Sequence, residues 1–560
     1  MKKNLWTLAA ILICGMGMAM TACKGGKQTA DETGDDSTDY KKIIRSWYGE
    51  NKTITDGNYD QLLAAKCING TFVGKKNGDV IAYRGIPYVG RQPVGDLRWK
   101  APVDATPCDS VYEAYYNAKT APQPEVELSS MYYQDENCLY LNVWKAAATP
   151  AGKKAVIVWI HGGAYSYGGT VDPLYDFNNF VEENPDVIVV SIAYRLGVLG
   201  FLHLSHLPDG KDYADAQNLG LMDQLMALKW VHENIAAFGG DPANVTLMGE
   251  SAGGGSVTSL TLIKGSHQYF NKVIALSGTP GLSISTEAAI ACTNELMEAL
   301  GCKTVADLQQ VDVQRLVSVA TELLPMRLAP ERDGKLLPQN PWEAVASGDV
   351  KDITFLHGVN KDEMNFFLVE MGGPEPFNEW AAARKAKKIV QLTDEEKALT
   401  ESFCNDVKGE SYEPYCKWFS QLMFNAPCIA LAEHQAKAGG KSYTYYFTVE
   451  SAVPLRKSCH GISLAPLFKH PDMDGDTGRP FDETFSKTMR QMWVQFAKTG
   501  NPSLTADQSP DGKAKTWPLY DQKDRQVMVF DETNIHPEKE SQRKIVDWDR
   551  TYFLFKYYGF

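Results

Sequence analysis

Ser251 stands between Gly249 and Gly253, directly after the β-prone run Val245-Thr246-Leu247-Met248. Small residues two positions before and after a serine permit a very tight strand-to-helix turn that holds the hydroxyl clear of the surface. Gly and Ser are also ordinary turn residues, so the motif needs partners. A hydroxyl is a poor nucleophile until a base takes its proton, an acid orients that base, and N–H groups receive the oxyanion. His161-Gly162-Gly163-Ala164 follows the apolar run ending at Ile160. A Gly-rich turn there brings bare N–H groups close to a ligand, although a simple tight turn has the same composition. The acid and base are less marked. Asp362 and Glu363 are adjacent, just beyond the apolar run Ile353-Thr354-Phe355-Leu356, and either could serve. His460 is one of ten histidines, and His161 is its natural rival as base.

These residues need rigid elements behind them. Ala155–Ile160 and Val187–Ala193 are continuous apolar, β-branched runs, the pattern of strands buried on both faces. In Asn218–Phe238, Leu221, Leu225, Leu228, Val231 and Ile235 recur at three- and four-residue steps, which predicts an amphipathic helix. Val245–Met248 and Val273–Leu276 read as further strands, and Thr484–Lys498 as a later helix. Alternating strands and helices predict a mostly parallel, doubly wound central sheet flanked by helices. Residues 41–560 read as one α/β domain with helical insertions.

Composition is that of a globular protein, 44% hydrophobic and 22% charged over 560 residues. The net charge of −13 and the lack of a basic block argue against nucleic acid as a partner. At the N-terminus, Lys2 and Lys3 precede the apolar run Leu5–Met20, and then Thr21-Ala22-Cys23. Gly15 and Gly17 interrupt that run, which falls short of the ~20 apolar residues of a membrane span. Residues 1–22 therefore read as a signal peptide. The residues ending at Cys23 resemble a bacterial lipobox, in which the cysteine is acylated and becomes the new N-terminus. Residues 23–40 read as a lipidated cysteine and a flexible acidic tether. The expected location is outside the cytoplasm, on a bacterial membrane through this lipid.

Of eleven cysteines, nine remain after Cys14 and Cys23. No C-x-x-C or H-E-x-x-H motif is present, so neither thiol redox nor a zincin-type zinc site is indicated. Asp472–Glu483 has acids at spacings reminiscent of an EF-hand, but Thr477 occupies the sixth place and Pro480 lies inside. It reads as a solvated loop rather than a calcium site.

The chain resembles the type-B carboxylesterase and cholinesterase family of α/β-hydrolases. Phe238-Gly239-Gly240, Val245, Leu247, Gly249, Ser251, Ala252 and Gly253 match its serine signature, and "ENCLYLNVW" (136–144), "AYRLGVLGFL" (193–202), "GVNKDE" (358–363) and "FAKTGNP" (496–502) follow in order. The resemblance implies Ser251 as nucleophile, Glu363 as acid and His460 as base. It implies oxyanion donors at Gly163, Ala164 and Ala252, and Ser277 supporting the triad. It implies structural ion pairs Arg98–Glu136 and Arg195–Asp223, no cofactor or metal, and a small-molecule ester as substrate. The same site could act on an amide, carbamate or thioester, or transfer the acyl group, and some members of the family have lost the serine and only bind.

Departures are visible too. Ser463 stands where the family has a glutamate, and Met364 where glycine is common. Cys138 lacks its usual upstream partner, leaving Cys108, Cys67 or no partner at all. The cation-binding tryptophan of cholinesterases is replaced by Leu128, with Tyr132 and Tyr133 nearby. Neutral or weakly polar esters are therefore expected over choline esters.

Overall fold

The structure, a computed structural model, describes residues 36–126, 129–148, 152–389, 392–470 and 474–551. The signal peptide, Cys23, most of the tether and Leu128 lie outside the described residues.

Among the described residues eleven strands form the central sheet: β1 (Lys75–Asn77), β2 (Val80–Pro87), β3 (Tyr140–Ala146), β4 (Lys154–Ile160), β5 (Val187–Ile192), β6 (Gly240–Glu250), β7 (Lys272–Leu276), β8 (Thr354–Asn360), β9 (Lys441–Phe447), β10 (Gln526–Asp531) and β11 (Asn534–Lys539). Their spatial order is β11-β10-β9-β8-β7-β6-β4-β5-β3-β2-β1. From β5 through β10 every pairing is parallel, whereas β10–β11 and the pairings of β1, β2 and β3 are antiparallel. This is the mostly parallel central sheet that the alternating pattern predicts, and it agrees with the α/β-hydrolase fold that the resemblance implies.

Two large apolar cores lie one on each face. In β4, Ile157 and Trp159 join one core, while Val156, Val158 and Ile160 join the other. That alternation is the two-residue period of a pleated strand, and it explains why a strand buried on both faces reads as a continuous apolar run.

The predicted helix forms as α1 (Leu219–Asn234), continued by a tighter turn over Ile235–Phe238. Gly239, at φ 91°, ends it in the left-handed conformation that glycine adopts without cost. Leu221, Leu228 and Val231 are buried as expected, but Leu225 is only half-buried. Polar Asp223 and Gln224 are turned inward instead, because Asp223 meets Arg195. The late helix spans Glu483–Thr499.

Two expectations need correction. A helix over Asp36–Ser46 takes in the last five residues of the stretch read as tether. Asp474–Thr477 is a helical turn, and Asp476 is not solvated: its carboxylate is buried 3.1 Å from the Arg456 guanidinium. Among the described residues no group of three His, Cys, Asp or Glu side chains is arranged to hold a metal.

Candidate active site

The predicted residues lie beyond the C-terminal ends of adjacent parallel strands, where open α/β sheets bind ligands. Ser251 follows β6, Ser277 follows β7, Glu363 follows β8, His460 follows β9, and the Gly162–Tyr165 turn follows β4.

Ser251 joins β6 to helix α2 (Ala252–Leu260) at φ 56° and ψ −122°, a conformation that costs a residue with a Cβ of order 1–3 kcal/mol. Its N–H donates to the Leu276 carbonyl at 2.9 Å, and its own carbonyl accepts from Gly255 N–H at 2.8 Å. The flanking glycines are required by close approach. A Cβ on Gly253 would lie 2.0 Å from the Ile160 carbonyl oxygen, and one on Gly249 would lie 2.4 Å from the Gly253 backbone.

After β4, three successive residues take positive φ: Gly163 at 99°, Ala164 at 51° and Tyr165 at 58°. A Cβ on Gly163 would stand 2.3 Å from the Tyr167 carbonyl oxygen. Gly163, Ala164, Ser251 and Ala252 together line one cavity of about 250 Å³. Ala252 opens α2, where helix geometry leaves the first N–H groups without an intrahelical acceptor.

His460 and Glu363 are both buried, with Nδ1 to Oε2 at 2.5 Å. The other carboxylate oxygen, Oε1, accepts from the Ser277 hydroxyl at 2.7 Å and from Asn360 N–H at 2.7 Å. Asp362 turns away, its carboxylate 3.9 Å from the Lys361 ammonium. Glu363 rather than Asp362 thus faces the imidazole. His161 is excluded as a rival: its Nδ1 lies 2.9 Å from the Gly162 carbonyl and its ring stacks on Tyr194. Burial pushes it down to about 4, so it stays neutral.

Ser251 and the Gly-rich turn line one cavity, and the buried His460–Glu363 pair lies behind Phe366, Phe367 and Phe424, which line it too. A model of the carboxylesterase family matches residues 62–546. The chain belongs to the carboxylesterase family. The para-nitrobenzyl esterase of Bacillus subtilis (strain 168) is 34% identical over 496 residues, which span 85% of this chain and 96% of that protein. The liver carboxylesterase of Sus scrofa is 30% identical over 501 residues, spanning 80% and 85% respectively. Among solved structures, the carboxylesterase of Geobacillus stearothermophilus superposes with a TM-score of 0.76 at 31% identity, over 86% of this chain and 99% of that one.

In this carboxylesterase the site also holds residues that the sequence reading missed. Glu250, the residue before Ser251, is buried with Oε1 3.2 Å from His460 Nε2. Burial, with Glu363 and Asp476 adding and His460 opposing, pushes it up to about 7. An acidic residue placed directly before the serine, after the run Val245-Thr246-Leu247-Met248, was the available signal. Phe424, Phe367 and Phe366 surround the imidazole at ring separations of 4.7, 5.6 and 6.2 Å.

Phe424 is aimed there by a widened turn, Gln421–Asn425, inside the helical stretch Glu413–Lys437, where Ala426 N–H bonds the Gln421 carbonyl five residues back. Pro427 explains the widening. It has no N–H to donate, and its ring clashes with the carbonyl four residues earlier.

The expected cavity walls are partly as read. Ala164, Tyr165 and Tyr132 line the cavity, and its one charged side chain among the described residues is Arg384. Tyr133 does not line it. It is 45% exposed, edge-on to Tyr48 at 5.0 Å and beneath Arg45. The pairs Arg98–Glu136 and Arg195–Asp223 both form bidentate bonds, the second with contacts of 2.8 and 2.7 Å. Ser463 is buried at the start of the short helix Leu464–Phe468. Cys138, Cys67 and Cys108 are all unpaired, as are the other six described cysteines.

Proposed function

We propose that this carboxylesterase hydrolyses neutral or weakly polar carboxylic esters through an acyl-enzyme at Ser251. Support comes first from the buried Glu363–His460 pair at 2.5 Å, whose imidazole packs against Phe366, Phe367 and Phe424, residues that line the cavity together with Ser251. Ser251 Oγ attacks the ester carbonyl while His460 Nε2 takes its proton, and Glu363 holds Nδ1–H and favours the imidazolium as it forms. The N–H groups of Gly163, Ala164 and Ala252 receive the oxyanion. His460 then returns the proton to the leaving alcohol, and water repeats the sequence on the acyl-enzyme. Ser277 is a positioning residue acting through Glu363. None of these steps requires a cofactor.

Selectivity is assigned from the walls. Arg384 is a cation, and no tryptophan is among the described lining residues to receive a quaternary ammonium. The test compares kcat/KM for acetylcholine and for its uncharged tert-butyl analogue, 3,3-dimethylbutyl acetate. Turnover of the neutral ester at a rate equal to or above that of the choline ester is expected. A cationic preference of about a hundredfold, or no turnover of neutral esters, would overturn the reading.

We further propose export and anchoring through acylated Cys23. The reading rests on Lys2-Lys3, the Leu5–Met20 run and Thr21-Ala22-Cys23.

A further inference from the structure

The match to the family begins at residue 62, yet the chain is already folded against the domain before that point. Residues 52–54 run beside the outer strand Val111–Glu113, with Ile54 N–H donating to the Val111 carbonyl at 2.8 Å and Glu113 N–H to the Lys52 carbonyl at 2.9 Å. Asn51 makes four hydrogen bonds of 2.8–3.0 Å to the backbone of Arg84, Tyr115 and Tyr116. Asn117 N–H donates to the Trp47 carbonyl at 2.9 Å. Upstream, Ile44 is fully buried in a small apolar cluster with Tyr132 and Val171, separate from the two main cores. Tyr132 is a wall of the catalytic cavity.

The connection continues past Tyr132. Tyr133 C=O accepts from Thr120 N–H at 2.9 Å, and Gln134 Oε1 accepts from Gln123 N–H at 2.9 Å. Gln123 in turn makes paired bonds of 2.8 and 3.0 Å with the backbone of Gly168, beside the oxyanion turn. An apolar cluster this small is held by few side chains, and a segment with few buried contacts opens locally before the whole domain does.

We propose that residues 36–61 are a strap that sets the size selectivity of the cavity, with Ile44 as the positioning residue that holds Tyr132 in the wall. Ile44 touches no substrate; it acts through Tyr132. With the strap seated, Tyr132 is a fixed surface against which a large ester is bound. With Ile44 cut back, the Ser129–Gln134 segment samples open positions and a large ester loses that surface. An ester too small to reach it is indifferent. The inference rests on the ester-hydrolase reading.

The test uses the full-length protein with Ile44→Ala, and Ile44→Leu as the conservative control. KM and kcat are measured for 4-nitrobenzyl acetate and methyl acetate, and amide hydrogen exchange for residues 129–134. Ile44→Ala is expected to raise KM for 4-nitrobenzyl acetate about fivefold or more. Its kcat, and both constants for methyl acetate, should stay within about twofold. Exchange at 129–134 should quicken, and Ile44→Leu should restore wild-type values. If Ile44→Ala does not fold, Tyr48→Ala, which removes the half-buried ring beside Tyr133, carries the same expectation at about threefold. Faster exchange without a selective rise in KM, equal effects on both esters, or unchanged exchange would each overturn the proposal. Wild-type turnover of methyl acetate checks the ester reading separately, and the exchange measurement reads the strap whether or not an ester is turned over.

Discussion

His460 lies between two carboxylates, Glu363 at Nδ1 and Glu250 at Nε2, and their effects on it differ in kind. Burial alone would lower its proton affinity, but Glu250 and Glu363 outweigh that and hold it above the ordinary histidine value. With His460 as the proposed general base, turnover needs the neutral ring, so kcat/KM is expected to rise with pH through this elevated value. Glu250→Gln removes one of the charges that favour the imidazolium, so the acid limb of the kcat/KM profile should move to lower pH. A limb that stays in place or moves upward would contradict the geometry.

The sequence carried Ser251 well, because a strained turn needs glycines at fixed offsets. It left Asp362 and Glu363 undecided, because adjacent side chains diverge and only the path of the chain after β8 decides which one meets His460. Glu250 went unread because its neighbour across the sheet ends, His460, comes from 210 positions along the chain.

At the level of elements, the turn after β4 concentrates the site's backbone strain. Gly163 sits at φ 99° with its α-hydrogen side against the Tyr167 carbonyl. Gly163→Ala should leave circular dichroism unchanged and reduce kcat about 100-fold or more, by displacing N–H groups meant for the oxyanion. Activity within about threefold of wild type would show that the turn tolerates a side chain and that its N–H groups are not so placed. The buried strands and α1 were legible because apolar period and β-branching are local signals. The widened turn before Pro427 was not, since a proline within a helical pattern marks a disturbance without saying whether the helix ends, kinks or widens. The short helix at Asp474 escaped for another reason: the acids suggested solvent, and Asp476 is instead paired with Arg456.

For the whole molecule, the strap at 36–61 lies between the catalytic domain and the segment proposed to carry the lipid. Only twelve residues, 24–35, separate Cys23 from the strap helix, a reach of at most about 40 Å when extended. Cys23→Ser should release the protein from the membrane fraction and keep ester hydrolysis within about twofold of wild type, since the lipid on the N-terminal cysteine supplies anchoring and not chemistry. An unmodified Cys23 in the membrane-bound wild type would refute the anchor. Composition spoke to this scale only through the N-terminal residues, and fold said nothing of it. The central claim concerns Ser251 and is tested most directly by quenching the enzyme during turnover of 4-nitrophenyl acetate and mapping the acetyl group by peptide mass spectrometry. The acetyl group is expected on Ser251, formed in a burst with 4-nitrophenol, and absent from a folded Ser251→Ala protein whose kcat has fallen about 10⁴-fold or more. Acetylation elsewhere with Ser251 unmodified, or undiminished turnover by Ser251→Ala, would contradict it.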